Sequence, residues 1–250
     1  MVYSKGQVQT KADTRKLKMN KMKLGIMQPY FMPYIGHFQL INAVDRYVVY
    51  DDVNYIKGGW VSRNNILMNG ERKLFTVTLK GASPNKLFSE IEILDDFKKF
   101  ERTLQGCYAK APYFKETMGL LQNIFAYPNK NLAQFLLNSY RENFLYLSID
   151  TELILSSDLE KDCSLKGQDK VIDICKHLKA NTYINAIGGQ ELYDKNDFKS
   201  NGIDLKFLQT QDIVYPQFQN EFVSNLSIID VMMFNSTEEI HEMLDKYELI

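Results

Sequence analysis

Apolar residues change their spacing several times along this chain, and each change marks an element. Lys23–Met27 is a short apolar run that stops at Gln28-Pro29, as a strand entering a turn would. Pro29 and Pro33 bracket a turn rich in aromatics, and from Gly36 onward Phe38, Leu40, Ile41 and Val44 recur at helical spacing. Tyr47–Tyr50 then reads as a β-branched strand. The pattern is strand, turn, helix, strand, and so short a crossover favours parallel pairing, with a tight antiparallel return as the alternative.

Asp51–Asn65 reads as a polar, Gly-containing loop, and Lys73–Leu79 as a strand with partial alternation. Between Asp95 and Leu147 apolar residues return at steps of three and four, which predicts three helices broken near Pro112 and Pro128. Strands at Glu152–Leu155, Thr182–Asn185 and Asp204–Leu208 follow. They alternate with helices at Gln168–Leu178 and near Tyr193–Phe198, with a turn at Gly188-Gly189. Such alternation predicts an α/β fold with a mostly parallel sheet flanked by helices, a Rossmann-like, nucleotidyltransferase-like core with a helical insertion at about 95–147. The expected organisation is a basic leader over 1–22 and one domain over 23–250.

Composition narrows the functional classes. At 250 residues with 45% apolar and 24% charged residues, the chain resembles an ordinary globular protein. A formal net charge of −1, with both signs interleaved, leaves no sustained patch for nucleic acid. The exception is the leader, where Lys5, Lys11, Arg15, Lys16, Lys18 and Lys21 face one acid, Asp13; it reads as a disordered tail, with Met19 or Met22 as alternative starts. It lacks the apolar stretch of a secretory signal, and no run approaches the roughly 20 apolar residues that span a bilayer. A cytoplasmic protein without membrane insertion is therefore expected. Cys107, Cys163 and Cys175 lack zinc-site spacing and read as reduced structural thiols, and His37, His177 and His241 are too scattered for a His-based metal site. No metal ligands are assigned. Serine hydrolase, P-loop kinase and typical dehydrogenase signatures are absent.

The candidate chemistry lies between Gln28 and Asn64. Ligands of open parallel sheets bind beyond the carboxyl ends of the strands, where Gln28–His37 leaves the first strand. Prolines stiffen that turn, Gly36 permits close approach, and the helix start offers free N–H groups to an anion. Pro33-Tyr34-Ile35-Gly36-His37 also resembles half of the His-x-Gly-His signature of adenylate-forming nucleotidyltransferases, with Tyr34 in place of the first His. His37 is thus either a contact to ATP phosphates or a surface residue at a helix start.

In the following loop, Asp51 or Asp52 can orient an amine or act as a base, the alternative being a turn cap. Lys57 and Arg63 can hold phosphate, while Tyr30, Tyr34, Tyr55 and Trp60 can shape a sugar or base pocket, with Gln28 and Asn64 as polar contacts. Lys166, before a helix, could present a mobile cation or simply begin that helix. Gly188 and Gly189 could admit a ligand to the backbone or make a tight turn. Asp230 is read as a buried residue paired with a cation or as a site carboxylate.

Several of these segments together resemble the WbqC-like family. They are Gln28-Pro29-Tyr30 through Gly36, Tyr50-Asp51-Asp52, and Lys57, Trp60, Arg63 and Asn64. In the second half they are Ser164–Gly167, Tyr183–Tyr193, Tyr215 with Gln217, and Leu226–Asp230. The resemblance runs from about Lys23 to Phe234, and His37 departs from it where many relatives carry an aromatic residue. It implies a bacterial protein of surface-polysaccharide and amino-sugar gene sets, and attachment of glycine or another acyl group to an amino sugar. It implies no catalytic assignment. The expected partner is therefore an amino sugar or its nucleotide-linked form, and the donor is either ATP with Mg acting on a free acid or an acyl thioester. A non-catalytic sugar-nucleotide-binding protein is the rival expectation, and no pattern in the chain sets an oligomeric state.

Overall fold

The computed structural model describes residues 21–219 and 221–250. Most of the expected leader lies outside them. Five parallel strands form the centre: β1 (Lys23–Met27), β2 (Arg46–Val49), β7 (Glu152–Leu155), β8 (Thr182–Ala186) and β9 (Asp204–Thr210). A sixth strand, β10 (Tyr247–Leu249), adds antiparallel to β9, giving the order β10-β9-β8-β1-β2-β7. Numbered among themselves in chain order, the five parallel strands run 3-2-1-4-5, which is the doubly wound arrangement. The direction of winding therefore reverses between β1 and β8, the switch point at which such sheets open a crevice.

Side chains leave the central strands alternately toward two cores. Leu24, Ile26, Val48, Tyr183, Leu205 and Phe207 pack on one side with Val171, Ile174 and Cys175 of α5 (Gly167–His177) and Phe198 of α6 (Lys195–Ser200). Tyr47, Val49, Ile184 and Leu208 face the other side, toward α1 (Ile35–Asn42) and α8 (Thr237–Leu244). Burial on both faces explains why these strands read as apolar runs.

Helices α2 (Lys98–Tyr108), α3 (Phe114–Phe125) and α4 (Leu132–Leu147) form the expected insertion, broken where Pro112 and Pro128 predict. The loop expected to reach Asn65 ends sooner. Arg63–Met68 is a strand, β3, hairpinned to β4 (Glu71–Thr76) through Asn69-Gly70, both with positive φ. An Asn-Gly pair between apolar runs is the strongest short hairpin signal, and it stands in the sequence. β5 (Leu79–Lys80) and β6 (Glu92–Ile93) pair as a small ribbon. The helix expected near Tyr193–Phe198 is displaced, because Ile187–Leu192 first makes a 3-10 turn. Helix α7 (Ile228–Phe234), α8 and β10 close the chain beyond the last expected strand. Among the described residues no helix is long and apolar enough to cross a membrane.

Candidate functional site

The turn after β1 is fixed from every side. Phe31 N–H donates to Val61 O (2.8 Å), and Tyr30 N–H donates to the Tyr140 hydroxyl (2.9 Å). The Met32 carbonyl accepts from Asn64 Nδ2 (2.9 Å) and Ser227 Oγ (2.6 Å), and Pro33 O accepts from Ile228 N–H (2.8 Å). These bonds tie one turn to β3, α4 and the start of α7, so the walls it supplies are set before any ligand arrives.

Those walls enclose a hollow of about 310 Å³ lined by Tyr30, Pro33, Tyr34, Trp60, Asn64, Asn65 and Asn225. Tyr30, Tyr34, Trp60 and Asn64 are thus brought together as expected. Burial raises the phenols of Tyr30 and Tyr34, the former with a contribution from Tyr34, so both hydroxyls stay protonated at neutral pH. Trp60 is 51% exposed at the rim, with the Arg63 guanidinium 5.5 Å from its ring centre and donating to Gly58 O. Lys57 is exposed on the adjoining turn.

Gly36 has a packing reason. A Cβ there would lie 2.4 Å from Tyr34 Cε2 and 2.6 Å from Thr210 Oγ1, so only glycine lets the Tyr34 ring fold back over the start of α1. Tyr34 provides no side-chain cap and the first turn of α1 holds no acid, which leaves the positive end of the helix uncompensated beside this wall.

Other expected site residues belong elsewhere. His37 is a correction: 2% exposed, it points into the core, where the Tyr47 and Tyr140 hydroxyls lie 2.8 and 2.9 Å from Nε2. Burial lowers its pKa from 6.5 to about 3, so the ring is neutral and has no path to a phosphate. Below pH 6.5 the unfolded chain takes up a proton that the folded chain refuses until about pH 3, so stability falls with pH across that window. The His37 contribution is expected to drop by about 2.5 kcal/mol between pH 7 and 4.5. Denaturant titrations at the two pH values check this: His37→Gln should lose correspondingly less stability on acidification, and parallel profiles would count against it.

Asp51 is buried and accepts from Ser157 N–H (3.0 Å) and Ser157 Oγ (2.7 Å), so it holds the turn after β7. Asp52 is 3.0 Å from both Lys161 Nζ and Lys170 Nζ. Burial pushes its carboxyl up, but the Ser156 hydroxyl and the two ammonium groups outweigh that and hold it below the ordinary carboxylate range. Neither aspartate lines the hollow. Their expected roles as a base or an amine-orienting group at the ligand are corrected, because β2 delivers them to the end of β7 and away from Tyr30 and Trp60.

Tyr55 is also core, its hydroxyl 3.3 Å from Ser62 Oγ and its ring edge-on to Phe88. Gln28 is half-buried beside β1, and Lys166 is exposed at the start of α5. Gly188 is exposed. Gly189 is buried against Asn185, whose Nδ2 would meet an added Cβ at 2.4 Å, which is a close-packing role. Asp230 is fully buried without a cation: Tyr108 (2.7 Å), Tyr215 (2.8 Å) and Gln217 Nε2 (2.7 Å) donate to it, and burial raises its carboxyl. Asn65 and Asn225 line the hollow without a signal in the sequence. The first was hidden by reading β3 as loop, and the second sits in an irregular segment with no periodicity to mark it. Among the described residues no group of three or more His, Cys, Asp or Glu is gathered closely enough to hold a metal.

Fold and hollow together define an α/β protein with a doubly wound sheet and a preformed aromatic and amide cavity beyond its carboxyl edge. The chain belongs to the WbqC-like protein family, whose sequence model matches residues 28–242. It is 28% identical over 229 residues to an uncharacterized protein of Mycobacterium tuberculosis, an alignment covering 89% of this chain and 97% of the relative. No solved structure matches it.

Proposed function

We propose that the protein binds an amino sugar, free or nucleotide-linked, in the aromatic hollow and transfers an acyl or aminoacyl group, glycyl among them, to its amine during bacterial surface-polysaccharide synthesis. The observation that carries the reading is the lining itself. Tyr30, Tyr34 and Trp60 offer ring faces beside the amides of Asn64, Asn65 and Asn225. A sugar presents apolar C–H faces between hydroxyl groups, which aromatic rings and amides complement respectively. Membership of the WbqC-like family supports the glycan setting through the association noted above.

In the reaction the amine nitrogen bonds to the acyl carbon. The bond from that carbon to its leaving group breaks, releasing AMP from an adenylate or a thiol from a thioester, and the amine gives up a proton. With His37 buried, the adenylate version has no support from the Gly36-His37 pair. The two donors are separated by supplying each alone. Purified protein with an amino-sugar nucleotide and either glycine, ATP and Mg or an acyl thioester is expected to yield the acylated sugar by mass spectrometry.

A second reading, a non-catalytic binding protein of glycan synthesis, is favoured by the engagement of Asp51, Asp52 and His37 away from the hollow. Binding without product would select it, and neither binding nor product would contradict both. Trp60→Ala is expected to weaken sugar binding about 30-fold, the size of a ~2 kcal/mol anchor contact, with unchanged unfolding because the ring is half in solvent. Calorimetric titration checks the first effect and thermal unfolding the second.

A further inference from the structure

A second hollow, of about 440 Å³, opens beside the first. The two share Tyr34 and Asn225 as a common wall. The second is lined from the end of β9 by Thr210, Gln211 and Asp212, and from the segment before α7 by Phe222 and Ser224. Its chemistry differs from that of its neighbour. Among the described residues neither hollow is lined by a lysine or arginine, and Asp212 is the one charged side chain lining either. Asp212 is exposed and makes no ion pair among the described residues.

A phosphate placed here would meet a carboxylate, offset by no lining cation and only by the partial positive charge at the start of α1, whose Ile35 lines this hollow. A ligand carrying a protonated amine would meet its complement, with the hydroxyls of Thr210 and Ser224 and the amides of Gln211 and Asn225 available to neighbouring polar groups.

We infer that Asp212 recognises the ammonium group of the sugar: the ring rests in the aromatic hollow, its amine projects past Tyr34 and Asn225, and the second hollow selects amino sugars against neutral ones. This rests on the reading that the aromatic hollow takes a sugar. It also supplies the carboxylate that Asp51 and Asp52, held elsewhere, do not bring to the ligand. Asp212 lies on an irregular segment in a stretch of the sequence that carries no catalytic motif.

The test compares 4-amino-4,6-dideoxyglucose with its N-acetyl derivative by calorimetric titration, using the full chain at low ionic strength. The wild-type protein is expected to bind the free amine about tenfold more tightly than the amide, the range of a charge-assisted contact at a partly exposed site. Asp212→Asn should remove that preference while leaving affinity for the N-acetyl form unchanged, Asp212→Glu should keep part of it, and 0.5 M salt should shrink it. A preference unaltered in Asp212→Asn, or no preference in the wild type although both sugars bind, overturns the inference and leaves the sugar site standing. Failure of the wild type to bind either sugar overturns the site and the inference with it. Equal loss of both affinities in Asp212→Asn, with an unfolding temperature below wild type, marks a structural residue and also overturns the inference.

Discussion

Asp52→Ala is expected to destabilise the protein by about 3–5 kcal/mol, the cost of stranding buried ammonium groups without their counter-ion. The Lys161 and Lys170 side chains are 1% and 9% exposed, and both rest on the same carboxylate oxygen. Lys161 also donates to Ser156 O, and Lys170 donates to the Asp52 carbonyl (3.1 Å) with Tyr50 beneath it, the ring centre 5.0 Å away. The cluster therefore bolts the segment after β7 and the first turns of α5 onto the end of β2. Because the loss comes from unpaired charge, Asp52→Leu combined with Lys161→Met and Lys170→Met should recover much of it, whereas any single lysine replacement should cost less than Asp52→Ala. Urea denaturation of the four variants decides the matter. Wild-type stability in Asp52→Ala, coupled with lost product formation, would return Asp52 to a chemical role.

Asp230→Ala is expected to cost at least about 3 kcal/mol and to loosen the wall shared by the two hollows. The carboxylate receives three hydrogen bonds while fully buried, so its removal leaves Tyr108, Tyr215 and Gln217 with unsatisfied donors. Gln217 in turn binds Val223 through both N–H and C=O, at 2.7 and 3.1 Å, and the residues that follow include Ser224 and Asn225 of the hollows. Residues 211–219 and 221–226 form no helix or strand, and Asp230 holds them through Tyr215 and Gln217, alongside the bonds of Gln211 to Lys246 and of Ser224 to Arg72. Limited proteolysis should therefore cut Asp230→Ala within 211–226 under conditions that spare the wild type. Asp230→Asn, which keeps an acceptor for one donor but places an N–H against the others, should fall between. Protease resistance equal to wild type in Asp230→Ala would show that the segment is held by something else.

Much of the fold was legible because the central strands feed both cores and so stand in the sequence as short apolar runs. Leu24, Ile26, Val48 and Leu205 announce buried strands through their neighbours alone, and Pro112 and Pro128 mark the helix breaks. The small sheet was harder. In β4, the exposed Arg72, Lys73 and Leu74 precede the buried Phe75, so only the Asn-Gly turn could have revealed its partner β3. The C-terminal helices were hidden by their brevity, since α7 is seven residues buried on every side and shows no helical stripe.

For the lining of the hollow, local chemistry sufficed where the residues share one turn, as with Tyr30 and Tyr34, and where the lone Trp60 stands in a polar loop. It failed for Asp51, Asp52 and His37. Their engagement depends on Ser157, Lys161, Lys170 and Tyr140, about 100 residues or more away in sequence and brought close only by the sheet order. Asp212 posed the same difficulty, since it joins Tyr34 through the return of β9 beside α1.

The chain has one tryptophan, and it stands at the rim of the aromatic hollow, so its fluorescence reports on that hollow directly. Titration with an amino-sugar nucleotide is expected to give a saturable change in Trp60 emission with the same dissociation constant as calorimetry. Calorimetric binding that leaves Trp60 emission unchanged, or no binding of any amino sugar, would contradict the assignment of this hollow as the ligand site.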